Sequence, residues 1–325
     1  MNEILVVSFD KRADFYLIIL TQFVKFRSFK IIVIGKDVVY LNMPSISEII
    51  IYPIKSLRGV SVHSAKLTDR GLKHDRRWML IDSQNHFLTQ RELPEMALIE
   101  VKILANGLQV KSPDNEDSLF IPFRTSGILS LENPETISTI EAWVFNDPVA
   151  VELCDHDAHD WFSCLLGIEC RLVYMPESSR RELSSKYSST NEINSLSDSM
   201  PILLTSLSSL DLLNGKLVVP VPMDRFRPNI IIFDSIAFEE DDYQSVEIAG
   251  LSFKVAKPCS RCTITTIDQL TGKTSKEPLK TLAKFRSFDH KVLFGIYLKV
   301  GSEGSLKVGD YLHLNKTLLP GRQKK

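Results

Sequence analysis

The chain has 325 residues, room for two domains at roughly 100 to 200 residues each, and its 39 Lys and Arg against 40 Asp and Glu leave a formal charge of −1. Hydrophobic residues at 44% and charged residues at 24% are near globular averages, which excludes a disordered or membrane-embedded class. The even charge predicts no general nucleic-acid-binding surface, although a local basic pocket for one small anion would leave no trace in it.

In chain order, residues 1–42 read unlike the rest. Their apolar runs "FYLIIL" and "IIVIG" are separated by Lys25, Arg27 and Lys30, and neither reaches the roughly 20 apolar residues of a membrane span. The stretch also lacks the layout of a signal peptide. Met43 opens a fresh strand, so the expectation is that translation can start there and that residues 1–42 are a peripheral extension. From 43 to 175 the runs "EIIIYPIKS", "RRWMLID", "ALIEVKIL", "GLQVKS", "SLFIPF" and "EAWVFNDPVAVEL" predict short strands broken by turns. One helix follows, capped by Asp155, striped by Trp161, Phe162, Leu165 and Leu166 and ended by Gly167, with His156 and His159 as solvated first-turn residues. "CRLVYM" is the next strand.

Residues 176–199 carry nine serines and few large apolar groups, which predicts a linker or mobile surface loop between two domains. The second unit, 200–315, runs as strand "PILLTS", helix "LSSLDLLNGKL", strand "PNIIIF", hairpin "SVEIAGLSFKVA", strand "TITTID", helix "EPLKTLAKFRSF" and strands "VLFGIYLKV" and "LKVGDYLHL", before a basic tail at 316–325. Asp268 begins "DQLTG", which reads as a turn. No repeat of 20 to 50 residues is visible. The whole predicts a mainly β, α+β protein.

Five cysteines, odd in number and irregularly spaced, argue against a secreted disulfide framework and for a reducing, cytoplasmic setting. Two of them, Cys259 and Cys262, form a C-x-x-C. A structural zinc site needs four ligands, and Cys154, Cys164 and Cys170 supply no second pair. A redox dithiol needs a helix behind the attacking thiol, whereas "TITTI" favours a strand. A third use is one thiolate holding a soft, redox-active metal, with Lys257 and Arg261 favouring ionisation. These residues alone leave the three open.

"IYPIKSLRG" (51–59), "HDRRWMLID", "RFRPNIII" (225–232) and "CSRCTITTIDQLTGKTSKEPLKTLAKFR" together resemble the MOSC-domain molybdenum-cofactor proteins, in particular the branch holding the mitochondrial amidoxime-reducing component and its bacterial relatives. The resemblance spans roughly 43–314. It implies an N-terminal MOSC-associated β-rich domain and a C-terminal MOSC β-barrel with one molybdenum cofactor (Mo-molybdopterin) between them. By motif position it implies Cys262 as the metal ligand and catalytic thiolate, with Lys55, Ser56, Arg76, Thr205, Ser206, Ser209, Arg227, Asn229, Ser260 and Tyr297 around the cofactor. Cys259 is then a packed thiol, and Ser206 or Ser209 can equally cap the helix that follows. Leu207 departs from relatives that often carry an acid there.

The activity so implied is two-electron reduction of small N-hydroxylated compounds, N–OH to N–H. No cysteines follow the motif, so no iron–sulfur cluster is expected, and electrons are expected from a separate flavoprotein, ferredoxin or cytochrome. The rival is a cofactor carrier or sulfur-transfer module without such turnover, since MOSC domains also occur in cofactor sulfurases.

Overall fold

The computed structural model describes residues 43–113, 117–123, 139–188 and 192–316, together with the strands Ile4–Leu5, Ile19–Val24, Arg27–Ile34 and Asp37–Asn42, which pair as their own antiparallel sheet. The rest of residues 1–42, and the basic tail from 317 on, lie outside the described residues. The fold is mainly β with three helices among the described residues.

Its largest sheet has nine strands, in the order Leu312–Lys316, Tyr243–Ile248, Leu251–Ser260, Lys291–Val300, Ile202–Ser206, Ile230–Phe233, Ser45–Ile51 and Val60–Val62, with Ser287–Phe288 beside Lys291–Val300. The two ends meet. Leu312 N donates to Pro44 O at 2.8 Å, Gly309 N to Ile46 O at 2.8 Å, and Ser45 bridges Tyr311, so the sheet curls into a barrel. Apolar residues at alternate positions fill it: Ile46, Ile49 and Ile51 meet Ile202, Leu204, Ile230, Ile232, Ile296 and Leu298. Its one parallel pair, Ile202–Ser206 with Ile230–Phe233, is joined by the helix Leu207–Asn214 as a crossover connection.

Ser45–Ile51 and Val60–Val62 therefore belong to the barrel of the second half. Ala65, Leu67 and Leu72 share its core as well. The rest of the first half makes a sheet of Thr139–Val144, Asp147–Leu153, Arg171–Tyr174 and Trp78–Ile81, and a second of Glu100–Ile103, Gly107–Lys111 and Ser118–Pro122. The helix His156–Leu166 packs on Trp78, Leu80, Leu108 and Leu172 through Phe162 and Leu166, and Gly167 ends it at φ 65°.

Three expectations are corrected. Residues 176–188 and 192–199 are packed rather than a loose linker: Arg181–Glu182 pairs with Ile193–Asn194, Leu196 joins the core under the four-stranded sheet, and Ser195 and Ser197 are buried. Arginines take up several of the buried carbonyls of this stretch, while Ser195 Oγ and Asn194 Nδ2 have no hydrogen-bond partner among the described residues. The buried Arg181 donates to Ser195 O and Ser197 O and pairs with Asp147, while Arg70 donates to Ser179 O and Glu177 O. "TITTI" is not a strand but a 3-10 turn, Thr263–Thr266, because Thr265 and Thr266 hydroxyls donate to Cys262 O and Thr263 O and take the carbonyls a ladder would need. His159 is not solvated. It is 8% exposed, with Nε2 3.2 Å from Leu172 O.

Candidate functional site

An open cleft, with a cavity volume of about 110 Å³, lies where the barrel meets the first half of the chain. Three segments interlace to make its floor. Lys55 N donates to Trp78 O, Arg76 N to Tyr52 O, and Leu196 N to Arg76 O, so segments 52–57, 73–78 and 195–200 lie against one another. Two bulges in Leu251–Ser260, at Val255/Lys257 and Pro258/Ser260, re-aim that strand. Opposite them Gly295 takes φ 76°, where a Cβ would lie 2.7 Å from Leu204 O.

Of the residues expected to surround a ligand, Lys55, Ser56, Arg76, Arg227, Asn229, Ser260, Cys262 and Tyr297 all line this cleft. Thr205, Ser206 and Ser209 do not. Ser206 caps the helix Leu207–Asn214 by accepting from Ser209 N at 3.1 Å, Ser209 Oγ donates to Glu240 at 2.7 Å, and Thr205 Oγ1 contacts Met223 Sδ. These hydroxyls are spent on the helix cap, Glu240 and Met223 instead.

The cleft is strongly cationic. Lys55, Arg76, Arg91, Arg227 and Arg261 face it, with Asp198 the single acid among the lining residues. The ring of Tyr52 is sandwiched by the guanidiniums of Arg76 at 4.2 Å and Arg227 at 4.3 Å. Behind them Asp75, 2% exposed, accepts from Tyr52 N, Arg76 and Asn229. Burial pushes the Asp75 carboxyl up, against the pull of Arg76. Asn229 spends its whole amide on the wall, donating to Ile50 O and Asp75 and accepting from Arg76 and Leu203 N. It positions Arg76. Arg227 donates to Leu57 O, and burial holds its guanidinium down to about 10, still charged at neutral pH.

Ser56, Arg76 and Arg227 adopt φ of 70°, 47° and 52°. Left-handed backbone at three non-glycine residues around one cleft is strain concentrated at a site.

Lys55 is 4% exposed, donates to Leu196 O at 2.9 Å and pairs with Asp198. Burial lowers its ammonium to about 8, with Asp198 opposing. Burial raises Asp198, but Lys55, Arg91 and Arg76 overcome this and hold it at about 2. Asp198, Arg91 and the Gln90–Gln269 amide pair are the residues the sequence reading missed. Asp198 lies in the serine-rich stretch and Arg91 in "TQREL", and neither stretch carries a chemical signature; pairs spanning 143 and 179 residues are not legible along the chain.

The two cysteines differ in surroundings. Cys262 is exposed to the cleft with Arg91 Nη1 3.7 Å from its sulfur, whereas Cys259 is buried, accepting from Arg261 Nη1 at 2.8 Å and bonding Tyr297. Burial raises Tyr297 well above the ordinary phenol range. No group of three His, Cys, Asp or Glu converges as a metal cage among the described residues, so a zinc knuckle has no further ligands to draw on. Asp268 stays out of the cleft. Its Oδ1 accepts from Leu270 N, Thr271 N and Thr271 Oγ1, and its Oδ2 pairs with Arg225, so it is the turn anchor expected.

Two family models match the chain: the MOSC N-terminal beta barrel domain over residues 43–169 and the MOSC domain over residues 191–313. Mitochondrial amidoxime reducing component 2 of Rattus norvegicus is 33% identical over 285 residues, covering 82% of both chains. Mitochondrial amidoxime-reducing component 1 of Mus musculus is 31% identical, covering 83% of this chain and 82% of that one. Molybdenum cofactor sulfurase of Oryza sativa subsp. japonica is 31% identical over 86% of this chain but only 36% of its own length. With both matches in order and that identity along most of its length, the chain belongs to the MOSC-domain family that includes the mitochondrial amidoxime reducing components and the molybdenum cofactor sulfurases.

Proposed function

We propose that this chain is a molybdenum-cofactor-dependent oxidoreductase that reduces N-hydroxylated compounds, taking N–OH to N–H and water with two protons and two electrons from a separate donor protein. The observation that carries the reading is the meeting, in one cationic cleft, of the exposed Cys262 with Lys55, Arg76 and Arg227.

The donor set fits a phosphate-ended, hydrogen-bond-rich cofactor. Planar guanidiniums recognise oxyanions bidentately, Lys55 adds a point charge, and Ser56 and Ser260 contribute hydroxyls. Cys262 is the soft ligand for the metal. A bound molybdopterin would supply the two-electron, oxygen-accepting chemistry. The chain's part is to orient and to manage protons. Asp198 at about 2 is ionised at neutral pH and accepts hydrogen bonds without delivering a proton, while Lys55 at about 8 is able to give one up.

The similarity to a cofactor sulfurase favours one second reading, a carrier that holds the cofactor without this turnover. Metal analysis of the purified protein, paired with reduction of benzamidoxime by an artificial donor, separates them. Molybdenum with turnover lost in Cys262→Ala supports the reductase. Molybdenum without turnover under any donor supports the carrier, and zinc in place of molybdenum overturns both.

A further inference from the structure

We propose that Arg91, flanked by Phe87 and Phe145, determines substrate specificity at the cleft mouth: the two rings take a flat part of the substrate and the guanidinium an acidic group attached to it. The inference rests on the reading of the cleft as a reductase of N-hydroxylated compounds.

Phe145 is the tip of the hairpin formed by Thr139–Val144 and Asp147–Leu153, at φ 57° and 48% exposed. A tight turn of this kind favours Asn, Asp or Gly, so a large ring there runs against local preference. It is held edge-on to Phe87 at 4.9 Å and 70°, and Phe87 lines the cleft. The aromatic pair thus extends the cleft wall outward from the first half of the chain.

Arg91 lies beside both rings, 5.4 Å from Phe145 and 5.9 Å from Phe87. Only its Nη1 is engaged among the described residues, at 3.7 Å from Cys262 Sγ and 3.8 Å from Asp198 Oδ2. Neither is a close bond. By contrast Arg76 and Arg227 are tied to the wall. The remaining donors of Arg91 are a fork suited to a carboxylate or phosphate. Its base is rigid: Arg91 N donates to Thr89 Oγ1, and the preceding Gln90 is buried, donating to Ser56 O and pairing with Gln269. A group held here is next to the Cys262 sulfur, as a substrate reacting at that sulfur's metal must be.

The test compares benzamidoxime with 4-carboxybenzamidoxime on the cofactor-loaded full chain, wild type against Arg91→Gln and Phe145→Ala. Wild type should show a KM for the carboxylated probe lower by about tenfold or more, the size of a charge-assisted hydrogen bond. Arg91→Gln should erase that ratio, and Phe145→Ala should raise KM for both probes. An equal fall of kcat on both probes in Arg91→Gln, with the ratio kept, overturns the proposal, as does absence of discrimination by wild type. Calorimetric binding of the two probes needs no turnover. A preference that Arg91→Gln removes upholds the clamp even where neither probe is reduced, a result that would sink the reductase reading alone; equal affinities with normal reduction sink the clamp alone.

Discussion

Lys55 and Asp198, 143 residues apart, pair across the cleft, and each sets the other's charge: Asp198 props up an ammonium that burial pulls to about 8, and Lys55 holds the carboxylate at about 2. Asp198→Asn should lower unfolding stability in urea at pH 7 by about 1 kcal/mol, since a carboxylate 39% exposed is screened by solvent. The sign in pH follows from a depressed carboxylate. Its contribution is present above the ordinary 3.8 and lost as pH falls toward 2, so the acid limb of the stability curve should flatten in the variant.

Asn229 should prove structural in effect although it borders the cleft. Asn229→Ala strips partners from Asp75, Arg76, Leu203 N and Ile50 O at once, and urea unfolding should show a loss of about 3 kcal/mol. A stability within error of wild type would show the amide network to be dispensable.

Glu240 carries a pH dependence of opposite sign. Its carboxyl is fully buried, Ser209 Oγ donates to Oε1, and Oε2 has no hydrogen-bond partner among the described residues. Burial raises it from the ordinary 4.5 to about 7, with Asp241 adding to the rise and Ser209 opposing it. The folded state keeps this proton where the unfolded chain has lost it, so stability falls as pH rises from 4.5 to 7. Glu240→Gln should remove that slope and leave the variant more stable than wild type above pH 7, by up to about 3 kcal/mol. Thermal unfolding scanned from pH 5 to 8 reads both.

The two cysteines should separate cleanly. Cys259→Ala removes a buried sulfur and the acceptor of Arg261, and should cost about 2 kcal/mol in chemical denaturation while molybdenum is retained. Cys262→Ala, at an exposed position, should change stability by no more than about 0.5 kcal/mol while abolishing molybdenum binding. Equal loss of metal from both variants would falsify the assignment of a single ligand.

Local patterning determined most of the strands and the three helices, because alternating apolar runs, the Gly167 stop and the Ser206 cap act within a few residues of themselves; Asp155 sits at the expected N-terminus without a side-chain cap bond. The same locality explains the errors. The serine-rich 176–199 looks unpackable until Arg181 within it and Arg70 outside it take up its backbone carbonyls, and the threonines after Cys262 look like a strand until their hydroxyls turn back on the chain. Motif likeness placed Lys55, Arg76, Arg227 and Cys262 on one list. Only the tertiary structure decided that they share a wall, that Ser206 and Ser209 face away from it, and that Asp198 and Arg91 complete it. The physical reason is reach: the cleft is made by pairing Ser45–Ile51 with strands beyond residue 200, and contacts of that span leave no periodicity along the chain.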